Sequence, residues 1–103
     1  MTIHYFTTGA ASVGQSPLAY VDTDGVRGMY ATFQGSHDGV GTIGYKLQGR
    51  LSSLHDWVDI TPAQTGDAAL EVVVFPQMRV STTAATGGAQ LITSLSGPNK
   101  IWA

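Results

Sequence analysis

Thr42-Ile43-Gly44-Tyr45-Lys46-Leu47-Gln48 sets the reading of the whole chain. Ile43, Tyr45 and Leu47 recur at every second residue, the side-chain period of an extended strand with one apolar face, and no 3.6-residue spacing competes with it. The same alternation returns upstream in residues 26–34. There Met29, Ala31 and Phe33 form one row, while Val26, Gly28, Tyr30 and Thr32 form the other. The first row is the core candidate, which leaves Tyr30 to face a partner.

Composition extends this local reading to all 103 residues. Thr (12), Ser (8) and Gly (13) are abundant, whereas Lys and Glu, the usual material of exposed helix faces, total 3, so helix is scarce. The length admits one domain. A formal charge of -2 gives no basic footprint for phosphate backbones, so nucleic acid is not an expected partner. A chain 12% charged and 43% hydrophobic is too apolar for disorder, and its glycines interrupt any run long enough to span a membrane. Without Cys there is no disulfide framework or thiolate metal site. The opening residues lack the basic and apolar segments of a secretory leader, which points to synthesis and assembly in the cytoplasm.

Turn residues then divide the chain. Residues 1–16 read as an extended N-terminal arm (Thr2–Thr7) with a small-residue linker, 17–97 as the domain and 98–103 as a C-terminal tail. Within the domain, strands are expected at 18–21, 26–34, 42–48, 56–60, 69–75, 77–81 and 90–95, with turns at 22–25, 35–41, 61–67 and 84–89. Pro76 ends the most apolar run, whose consecutive Val72, Val73 and Val74 suggest burial on both sides or cover from another chain. Seven or eight short strands at this spacing make an all-β, two-sheet β-sandwich, with jelly-roll and Ig-like order both open. Trp57, Val72, Val74 and Val80 are the expected core.

Motifs of chemistry are weak. Gly39-Val40-Gly41-Thr42-Ile43-Gly44 spells a dinucleotide fingerprint, but that motif needs a strand before the glycines and a helix after them. Asp22-Thr23-Asp24-Gly25 looks like part of a calcium loop, yet the twelfth position holds Phe33 instead of a bidentate acid. His4, His37 and His55 have no metal-binding spacing, and Asp56 and Asp59 fall on opposite faces of a regular strand. No serine sits in a nucleophile elbow. The expectation is therefore a non-enzymatic protein with no catalytic residue, metal or cofactor. Arg79 calls for a carboxylate from Asp56 or Asp59 if it projects from a half-buried strand, and a solvated rim position is the equal alternative.

From Leu47 to Leu95, a strand ending Leu47-Gln48-Gly49, a Trp strand Asp56-Trp57-Val58-Asp59-Ile60-Thr61, an apolar strand, the step Pro76-Gln77-Met78-Arg79-Val80 and a Thr/Gly-rich hairpin follow one another. This half of the chain resembles small bacteriophage virion structural proteins of the β-sandwich type. Met78 departs from the aromatic common in that pattern, and residues 1–16 have no counterpart in it. The resemblance implies a capsid decoration or cement subunit on the capsid exterior, a homotrimer that contacts the major capsid protein. The partner-binding residues expected are Ile3, Tyr5 and Phe6 on the arm, Tyr30, and Ile101 and Trp102 in the tail. Alternative readings are a carbohydrate-binding module stacking sugar on Tyr45 and Trp57, or a head–tail or tail component.

Overall fold

The computed structural model describes residues 2–20 and 30–97. These residues hold nine strands and no helix: β1 (Thr2–Thr7), β2 (Gly14–Gln15), β3 (Ala19–Tyr20), β4 (Tyr30–His37), β5 (Thr42–Arg50), β6 (Val58–Asp59), β7 (Ala68–Val73), β8 (Gln77–Thr86) and β9 (Leu91–Gly97). All pairs are antiparallel. One sheet runs β1-β9-β4-β7 and the other β2-β8-β5-β6, with β3 also on β8.

The register shows how such a chain winds up. Thr2 pairs with Gly97, Gly14 with Thr82, Ala19 with Met78, Tyr30 with Val73 and Gln48 with Asp59. Partners step inward from both ends, so the described chain is one long hairpin ribbon whose tip is the loop 51–57. Rolling that ribbon brings β4 against β9 and β5 against β8. With β2 and β3 counted as one interrupted strand, this is the strand order of a jelly roll. It places the first and last strands side by side, unlike Ig-like order.

Alternation fills the space between the sheets. Ala31, Phe33, Val72, Leu91 and Leu95 point in from one sheet, and Ile43, Tyr45, Leu47, Met78 and Val80 from the other, all buried. Three hydroxyl groups at the core's margin are hydrogen-bonded. Thr93 meets Thr7 (Oγ1 to Oγ1, 2.7 Å), the Tyr45 hydroxyl donates to the Gly66 carbonyl (2.6 Å), and the Leu47 amide donates to Thr61 Oγ1 (3.1 Å).

Several expectations are corrected. Residues 35–37 continue β4 instead of turning, because Gly35 serves a close approach: a Cβ there would overlap the Tyr45 ring and hydroxyl. The expected turn at 84–89 is shorter, since β8 stays paired with β5 to Thr86 and the chain reverses at Gly87 and Gly88, both with φ near +70° (70° and 75°). Of the Trp strand only Val58–Asp59 pairs. Segment 2–7 is extended, but it is hydrogen-bonded to β9 of its own sandwich. The apolar run 69–75 forms an edge strand, so Val72 is buried, Val73 is exposed and Val74 is half-buried against the core. The turn at 22–25 and the tail, with Ile101 and Trp102, lie outside the described residues.

Candidate interaction surface

The outer face of the β1-β9-β4-β7 sheet gathers side chains that lie far apart in sequence. Ile3, Ser96, Thr32 and Glu71 form one row across the four strands, and Tyr5, Ser94, Gln34 and Ala69 form the next. Tyr30 and Val73 pair at one end of this face, Ser36 and Ile92 toward the other. Ile3 (48%), Tyr5 (55%), Tyr30 (57%), Ile92 (45%) and Val73 (43%) are exposed here. Among the described residues of these rows Glu71 alone is charged. A shallow depression of about 450 Å³ runs over Ile3, Tyr5, Gln34 and Ile92. Exposed aromatic and aliphatic groups set among small hydroxyls, with little charge, are the makeup of the centre of a protein–protein interface.

Of the residues expected to bind partners, Ile3, Tyr5 and Tyr30 share this face. Phe6 does not. The alternation of β1 turns it inward, where it is 5% exposed and meets His4 edge-on at 4.9 Å. It belongs to the core, not to a partner site. Ile92 and Val73, which the sequence reading missed as surface groups, were legible only through pairing, because each sits in an apolar stretch whose inward row depends on the register.

The opposite sheet carries polar chemistry. Lys46, Gln48 and Arg50 alternate outward on β5 beside Gln77 and Arg79 of β8. Lys46 Nζ donates to Asp59 Oδ2 and Gln48 Nε2 to Asp59 Oδ1, both at 2.9 Å. Those hydrogen bonds, Gln48 first, hold the Asp59 carboxyl below the usual carboxylate range. Arg50 Nε donates to Gln77 Oε1 (2.7 Å) and Arg79 Nε to Gln48 Oε1 (2.9 Å). Trp57 lies on this pair, its ring centroid 4.3 Å from Arg50 Cζ and 4.2 Å from Arg79 Cζ. Trp57 is therefore a half-buried lid over the outer face, not a residue between the sheets. The expected carboxylate on Arg79 is replaced by an indole and an amide. Burial and the neighbouring Arg50 lower the Arg79 pKa from its ordinary value.

Tyr45 is fully buried, and burial followed by the charge of Asp67 raises its hydroxyl pKa. It cannot present a ring to a sugar, so the paired aromatic platform with Trp57 does not exist. Gly39 and Gly41 form a positive-φ turn that leads into β5, with no helix after it. His37 and Asp38 do meet, at 3.4 Å, because the strand ends between them, and Asp38 Oδ1 accepts from the amides of Val40 and Gln90. Those bonds, with Val40 the largest contribution, lower the Asp38 pKa and tie the turn to Gln90, the residue before β9. Among the described residues no three His, Asp or Glu side chains gather as a metal site, and no helix is long and apolar enough to cross a membrane.

No family model, curated protein or solved structure matches this chain.

Proposed function

We propose that the chain is a non-enzymatic virion structural protein, a capsid decoration or cement subunit that oligomerises, as a trimer, over junctions between major capsid proteins on the capsid exterior. Surface burial and symmetry do the work, and no covalent chemistry is required. The observation that carries this reading is the broad outer sheet face holding Ile3, Tyr5, Tyr30, Val73 and Ile92, with Glu71 its single charge among the described residues. The jelly-roll order supports it by analogy, because that architecture is used for capsid subunits, although lectins and cupins use it too.

The test is cosedimentation with mature, expanded bacteriophage capsids lacking decoration, followed by electron microscopy of the particles. Wild-type protein is expected to pellet with capsids and add density at symmetric positions, while Tyr5→Lys combined with Tyr30→Lys remains in the supernatant. Equal binding by the double variant, or no binding by the wild type to any capsid tried, overturns the reading.

A further inference from the structure

Arg50 and Arg79 both place their guanidiniums over the Trp57 ring. Among the described residues neither guanidinium has a carboxylate within 4.0 Å, whereas Lys46 on the same face is paired with Asp59. Each has its Nε committed to a glutamine oxygen, and each Cζ lies over the Trp57 ring. Side-on, bidentate use of Nε is therefore closed, and the terminal Nη pairs have no protein acceptor among the described residues. Two cations gathered on one ring repel each other, and burial first, with Arg50 second, lowers the Arg79 pKa. Their side-chain ordering is already supplied by the stack and the glutamines, so an incoming anion meets a prearranged fork.

From this geometry we infer that Arg50, Arg79 and Trp57 form an oxyanion site that receives paired carboxylates from an acidic peptide segment of a partner protein. The end-on Nη pair of each guanidinium matches the two oxygens of one carboxylate. Two such groups on one segment neutralise the pair, which a single monovalent ion would not do. The site lies on the sheet opposite the proposed docking face, so its fate is independent of that assignment and would give the subunit a second point of attachment.

Trp57 supplies the reporter. In a Trp102→Phe background it is the remaining indole, since the chain has two tryptophans. Its emission is followed while a blocked Glu-Glu peptide, the matching Gln-Gln peptide and inorganic phosphate are added separately at constant ionic strength. The expected result is a saturable change with Glu-Glu, absent with Gln-Gln and weakened at least tenfold by Arg79→Gln and by Arg50→Gln, while Lys46→Gln binds as well as the parent. Arg79→Lys, which keeps the charge and loses the fork, is expected to weaken binding as well and serves if a glutamine variant fails to fold. No saturable response to Glu-Glu, an equal response to Gln-Gln, or undiminished binding by folded Arg79 variants overturns the proposal. So does saturation by phosphate alone, which would make the ligand a phosphate and not a peptide carboxylate.

Discussion

Gly35 and Tyr45 show how much of the interior depends on single positions. Tyr45 fills the space above Gly35 and spends its hydroxyl on the Gly66 carbonyl. Gly35→Ala is expected to lower unfolding free energy by about 1–3 kcal/mol through overpacking. Tyr45→Phe should cost about 1 kcal/mol by orphaning a hydrogen bond, and urea denaturation measures both. His4 provides a pH signature. Burial depresses its pKa below the ordinary 6.5, so the unfolded chain takes up the proton first. Its contribution is fully present above about pH 6.5 and declines as pH falls from there toward the folded-state pKa. The denaturation midpoint should thus drop between pH 7.5 and 5, and His4→Gln should flatten the slope. At this scale the inward rows Ile43-Tyr45-Leu47 and Ala31-Phe33 were legible, because alternation alone fixes them. Trp57 was not: its size argued for the core, and only the pairing of β5 with β8 reveals the two guanidiniums that hold it outside.

Strand β1 is where the local and tertiary readings part. Its extended character was legible from Thr2–Thr7, but nothing in those residues specifies β9 as the partner, more than eighty residues away. The consequence is measurable. Phe6→Ala should cost about 3–5 kcal/mol, as for any buried aromatic, while Tyr5→Ala on the neighbouring outward position should change monomer stability by less than about 0.5 kcal/mol. Equal effects in thermal melts would mean that β1 is not packed as described. Removing residues 1–8 would therefore unfold the sheet edge, and point substitutions at Ile3 or Tyr5 are the clean probes of docking. The strand ends at His37 and Thr86 were obscured because Gly35 and the Ala-Thr-Gly stretch carry turn-forming residues, although tertiary packing sets their conformation.

Taken together, the described residues form a single ribbon folded at its middle, and its strand order depends on pairings between distant residues that periodicity cannot encode. Sequence spacing reached the two-sheet sandwich, and the rolled order emerged only from register. The described chain also closes its own interior, since Phe33, Tyr45, Leu47, Met78, Val80 and Leu95 are all fully buried in the single chain. Assembly is thus not needed to complete the core. What it would cover is the weakly charged outer face of β1-β9-β4-β7. Sedimentation equilibrium of the purified protein tests this most directly. A trimer of the 10.8 kDa chain is expected, and Tyr5→Lys, still folded, is expected to convert it to monomer. A wild-type chain that stays monomeric across the concentration range, or a trimer untouched by Tyr5→Lys, would contradict it.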